Sequence, residues 1–171
     1  MAADLFVPGL IRIEVAPPAG TYALLGYSRD GIHIRETLRQ RPVYGDEGGG
    51  SDGVPVDWIF LGQWHDVRFE LYRFDGDVLA GVLKVLSTNA DKTRDKTFDA
   101  GHLIRQSGDY FKLKLFTENR ISTAAPAFKR EYPVAVLTGS PEYPVGVNEM
   151  VTMLEFTCYP NSSGVLFTVP A

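Results

Sequence analysis

The chain is poor in the residues from which small chemical sites are built. Of its 171 residues one is a cysteine, Cys158, and three are histidines. One cysteine excludes an intramolecular disulfide and any multi-cysteine zinc site. Cys158 itself reads as a buried residue of a late strand, not as a reactive thiol. His33, His65 and His102 stand far apart, with no His-x-His, no His-Glu-x-x-His and no Gly-x-Ser-x-Gly anywhere. Apolar runs are all too short to cross a bilayer. The start, Met1-Ala-Ala-Asp-Leu-Phe-Val-Pro-Gly, lacks the basic beginning and long apolar core of a signal peptide. Positive charge is also scarce: 17 Lys and Arg stand against 21 Asp and Glu, for a net charge of -4. A grip on nucleic acid needs a basic face, so none is expected. These absences lead to the expectation of a protein made in a cytoplasm that is no enzyme, carries no cofactor or metal and does not enter a membrane.

What the chain does have is pattern. Its length fits one domain with a core large enough to need no staples. Aromatic residues make up 12%, and with many short alternating runs they tilt the fold toward β structure. The organising stretch is Val54 to Leu86. Val56 to Leu61 is an apolar and aromatic run that reads as a well-buried strand. Gly62-Gln63 suits a tight hairpin turn. Then Val67, Phe69 and Leu71 alternate with Asp66, Arg68, Glu70 and Tyr72. His65 falls on the apolar side, where a satisfied, partly buried histidine is the simpler reading. The period changes after Asp75, a helix cap, with Asp77 in the first turn. Val78, Leu79, Val82, Leu83 and Leu86 then mark one helical face over residues 76 to 86.

The remaining chain reads as strands and connections. Residues 1 to 10 form a short amino-terminal arm, and 11 to 171 form a single β domain. Strands are expected at Ile11 to Val15, Tyr22 to Tyr27, from Ile32 onward, His102 to Arg105, Tyr110 to Thr117, Phe128 to Leu137, Met150 to Tyr159 and Val165 to Val169. Arg29-Asp30-Gly31 and Ser107-Gly108-Asp109 carry hairpin signals, and Asn161-Ser162-Ser163-Gly164 turns. From Ile32, Ile34 and Leu38 share a face that also holds Glu36, a conflict pointing to an interface or a strand end. Two polar segments, 39 to 55 and 87 to 101, are long for connections within one domain. The first contains Asp46-Glu47-Gly48-Gly49-Gly50-Ser51-Asp52-Gly53. It lacks the lysine and helix of a phosphate-binding loop and reads as a flexible hairpin tip or interaction loop. Pro133 places its strand at an edge or on a bulge. About nine strands and one helix make a mainly β fold, a sandwich or barrel of mostly antiparallel strands with a flanking helix.

The central stretch also carries a resemblance. A Gly-rich polar loop precedes Val-Pro-Val-Asp-Trp-Ile-Phe-Leu-Gly, an alternating strand and Asp-Gly-Asp-Val-Leu-Ala-Gly-Val-Leu. Later come Phe128-Lys129-Arg130-Glu131-Tyr132-Pro133, Pro141-Glu142-Tyr143-Pro144-Val145-Gly146 and Glu149-Met150-Val151-Thr152-Met153-Leu154-Glu155-Phe156. In pattern and order, over residues 11 to 169, this resembles the bacteriophage tail tube proteins, whose fold is shared by the tube of type VI secretion. The resemblance implies a structural virion protein whose rings, of six subunits, stack into a conduit through which DNA passes without specific binding. Its implied partners are further copies of itself and other tail proteins: sheath or terminator, and baseplate. Residues 39 to 55 would match the hairpin loop that reaches the neighbouring ring, with Arg41, Tyr44, Asp46, Glu47, Gly49 and Asp52 as stacking residues. The arm over residues 1 to 10 is a second place for ring-to-ring contact. A capsid decoration or head-tail connector protein is the alternative, and a small barrel-type enzyme a more distant one.

Overall fold

The computed structural model describes residues 2–45, 53–84, 110–117, 128–139 and 152–169. The polar segment 87 to 101, the strand expected at His102 to Arg105, the turn at 107 to 109 and the loop at 140 to 144 lie outside these residues, as do Leu86, Met150 and the interface residues Asp46, Glu47, Gly49 and Asp52. The chain folds in the order β1 (Ala2–Val7), β2 (Ile11–Ala16), β3 (Ala23–Ser28), β4 (Ile32–Val43), β5 (Asp57–Leu71), β6 (Arg73–Phe74), α1 (Gly76–Lys84), β7 (Phe111–Thr117), β8 (Lys129–Leu137) and β9 (Thr152–Tyr159). All nine strands belong to one antiparallel sheet, ordered β1-β4-β5-β9-β8-β7-β2-β3-β6. The fold is mainly β with one helix among the described residues, as the alternating patterns require. The sheet curls, because β6 at its far edge continues directly from β5 near its middle. The two residue pairs of β3 with β6 do not close it into a barrel.

One apolar cluster lies inside the curl. Ile11, Ile13 and Val15 of β2 meet Phe111, Leu113 and Leu115 of β7, all at alternate positions and all buried. Val67, Phe69 and Leu71 of β5 face inward beside Leu154 and Phe156 of β9, with the Phe69 and Phe156 rings stacked at 5.9 Å. Each such side chain, taken fully from water, stabilises the fold by about 1.5–3 kcal/mol. The helix covers one end of this cluster with Leu79 and Val82, and Val78 and Leu83 pack at its margin. Its start is fixed by Asp75, whose Oδ1 accepts from the backbone N–H of Asp77 (3.0 Å) and Val78 (3.1 Å). Cys158 is buried within the core, and burial raises its thiol pKa well above the ordinary value.

Several local expectations change. Gly62-Gln63 is not a turn: β5 runs unbroken from Asp57 to Leu71. Gly62 instead sits at a β-bulge, where the pairing shifts between Arg39↔Gly62 and Gln40↔Phe60. Its φ of 143° is one that a side chain rarely tolerates, which is why glycine stands there. Residues 39–43 are strand rather than loop, so the 39 to 55 segment shortens to the tip of a long hairpin. Arg29-Asp30-Gly31 turns the chain, with Gly31 at φ 92°, but makes no hairpin. β3 pairs with β2 and β6, while β4 pairs with β1 and β5. Positive φ specifies a reversal, not which strands will pair. β8 is an interior strand between β7 and β9, so Pro133 marks no edge. It falls on a bulge, between Leu113↔Tyr132 and Phe111↔Ala135, and the β9 ladder starts only at Val134. That spares a ladder hydrogen bond which proline cannot give. Residues 165 to 169 make a single bridge, Glu131↔Thr168, not a strand. The amino-terminal segment is itself an edge strand, β1, paired along β4 from Val7↔Ile32 to Ala2↔Thr37.

Candidate functional site

The β4–β5 ribbon is longer than the sheet that holds it. β1 flanks β4 only as far as Thr37, and β9 flanks β5 only from His65 onward. Residues 38–43 and 57–63 therefore pair with each other alone. Past the Gly62 bulge four residue pairs remain, from Gln40↔Phe60 to Val43↔Asp57. At ~3.4 Å per residue this is an arm of about 14 Å. The Val56 N–H donates to the Val43 carbonyl at 2.9 Å and carries the ribbon toward the tip.

Directly opposed residues of an antiparallel pair share a face. Gln40 with Phe60 and Pro42 with Trp58 thus form one side of the arm, which is largely apolar and aromatic. Arg41 with Ile59, and Val43 with Asp57, form the other, where Arg39 follows Arg41 by alternation. Neither side is covered. Trp58 and Phe60 are 55% and 59% exposed, and Val56, Ile59 and Leu61 are exposed with them. Seven of the eleven exposed large hydrophobic residues in the described structure lie between Tyr44 and Leu61. The run expected to be a buried strand is the most exposed apolar segment of the fold. Its partner explains why: Arg39, Gln40 and Arg41 cannot follow it into a core.

Of the expected stacking residues, Arg41 stands on the arm and Tyr44 just beyond it, both exposed. Reasoning from sequence missed Trp58, Ile59, Phe60 and Leu61 as surface residues. The available signal was the absence of alternation in that run, opposite a polar strand.

At the base of the arm the structure gathers residue types that can carry catalysis. His65 pairs across the ladder with Cys158, and its Nδ1 lies 3.0 Å from the Tyr132 hydroxyl. Tyr132 also accepts from Arg130 Nη1 at 3.4 Å. The direction of the His65–Tyr132 hydrogen bond follows the imidazole tautomer. Nε2 has no hydrogen-bond partner among the described residues, and the Glu36 carboxylate lies 3.9 Å away. Glu36 is held by Gln63 Nε2. Phe167 lies against both the His65 and Tyr132 rings, and the Arg130 guanidinium sits 4.5 Å from its centroid. His65 is lowered from its ordinary pKa, chiefly by burial and then by Arg130, with Glu36 and Asp66 opposing. Burial likewise holds the Tyr132 hydroxyl protonated far into the alkaline range. His65, Tyr132 and Cys158 are each no more than 2% exposed. The cluster fastens the foot of the arm to β8 and β9. Among the described residues no group of His, Cys, Asp and Glu could hold a metal ion, and no helix is long and apolar enough to cross a membrane.

Comparison with protein families, with curated proteins and with solved structures finds no match to this chain.

Proposed function

We propose that the protein is a self-assembling structural subunit of the tail tube type, closing into rings that stack through the β4–β5 arm into a conduit for DNA. The observation that carries this reading is the arm itself. A ribbon exposed on both faces, with Trp58, Ile59, Phe60 and Leu61 in water, gains nothing for the isolated fold. Exposed apolar surface of this kind is matched by a partner surface or leads to aggregation. The resemblance in pattern and order favours a second copy of the chain as that partner. Arg41 and Tyr44, the described members of the expected stacking set, lie where such a contact would form. The edge strand β1 offers unpaired backbone groups that a neighbouring subunit in the same ring could take up. The net charge of -4 suits a conduit that DNA passes without sticking.

Electron microscopy of the concentrated protein tests the reading. Rings or tubes are the expected particles. A protein that stays monomeric at every concentration overturns it, and one that binds a capsid shell without associating with itself points to the decoration or connector alternative.

A further inference from the structure

We infer that the basic face of the arm docks into an acidic groove on the outer face of β1, β4, β5 and β9 of the next copy. This rests on the assembly reading above and names the surface that receives the arm. The groove has a volume of about 910 Å³ and lies over the part of the ribbon that the sheet holds. Phe6 of β1 lines it, half exposed, its ring 4.7 Å from that of His33. Four carboxylates, Asp30, Asp66, Glu70 and Glu155, face two guanidiniums, Arg35 and Arg68. Asp66 is occupied by the Thr157 hydroxyl at 2.7 Å, and Asp30 lies 3.7 Å from Arg29. Arg68, opposite Glu155 on the ladder, donates to the Met153 sulfur through Nε (3.1 Å) and Nη2 (2.8 Å). Glu70 and Glu155 are thereby left without an ion pair among the described residues.

The arm carries the complement. Arg39 and Arg41 share one face, also without an ion pair among the described residues, and Ile59 lies opposite Arg41. Two cations around an apolar side chain, unpaired among the described residues, match two carboxylates beside Phe6 that are likewise unpaired there. The arm cannot reach the groove of its own chain. Ile59 and Arg68 lie on one unbroken strand, so ~30 Å of extended backbone separates them. Donor and acceptor surfaces lie on different parts of the chain, so in the stacked assembly proposed above the contact is heterologous and propagates from copy to copy.

Charge reversal of each surface, read by sedimentation of the full chain, tests the inference. The arm variant Arg39→Glu/Arg41→Glu and the groove variant Glu70→Lys/Glu155→Lys should each weaken self-association on the order of tenfold per reversed pair. Both should keep the wild-type melting temperature. An equimolar mixture should associate again, because each arm then meets a groove of opposite sign. Should Glu155→Lys disturb the fold, Glu70→Lys alone carries the groove side, since that residue is exposed. A groove variant that associates as well as wild type, or a mixture that stays dissociated, overturns the docking. Wild-type protein that never associates overturns the assembly reading on which it rests.

Discussion

The two halves of the β4–β5 ribbon have the same secondary structure and opposite surroundings. In the inner half Ile32 and Ile34 pair with Phe69 and Val67, and all four are buried. In the outer half Arg41 and Pro42 pair with Ile59 and Trp58, and β5 lies in solvent on both sides. The inner half alternates apolar with polar because one face meets the core and the other meets water. The outer half does not alternate, because no core selects one of its faces. Hydrogen bonding makes both halves strand, whereas burial stabilises only one of them. The Gly62 bulge, just above His65 and Glu36, divides them.

Substitutions should separate the halves sharply. Phe69→Ala should cost about 3–5 kcal/mol, as removing a buried aromatic side chain does, whereas Phe60→Ala should shift stability by no more than about 0.5 kcal/mol. Thermal or denaturant unfolding reads both, and equal losses would erase the distinction. Val82→Asp belongs with the inner half. It places a charge where the helix meets the core and should cost several kcal/mol, and an unchanged melting temperature would mean that the helix packs by another face.

A smaller effect is expected at the boundary. Gly62→Val forces a side chain into a backbone conformation it rarely adopts and should cost about 1–3 kcal/mol. An unaffected melting temperature would mean that the bulge is not strained.

The base of the arm should respond to pH. His65 is lowered in the fold, so the unfolded chain takes up a proton, below its ordinary value of about 6.5, that the folded chain resists. The His65 contribution is fully present above that value and is lost as pH falls toward the lowered folded value. Melting temperatures from pH 7.5 down to pH 5 should therefore fall more steeply for wild type than for His65→Gln. Parallel curves would show that His65 titrates as it does in the unfolded chain.

The same comparison explains what the sequence could disclose. Alternation in Val67, Phe69 and Leu71, and in Phe111, Leu113 and Leu115, identified core faces because burial imposed that pattern. Asp75 and the Val78, Leu79, Val82 spacing identified the helix for the same reason. The Val56 to Leu61 run misled because hydrophobicity measures preference for burial, not the presence of a partner. Pro133 marked a bulge, one of its two expected meanings, and Asp30-Gly31 a reversal that makes no hairpin. Each reports local backbone geometry truthfully, a bulge and a reversal, but pairing is decided by residues far away in sequence. The groove was invisible for that reason too: Phe6, Asp30, Glu70 and Glu155 come together only through the order β1-β4-β5-β9.

Sedimentation of wild type beside Trp58→Ser/Phe60→Ser, over a range of concentrations, tests most directly whether the outer half of the ribbon exists for assembly. The expected result is a wild-type protein that associates into stacked assemblies and a variant that stops at smaller, unstacked particles with the same melting temperature. A monomeric wild type, or a variant that associates as readily, would contradict it.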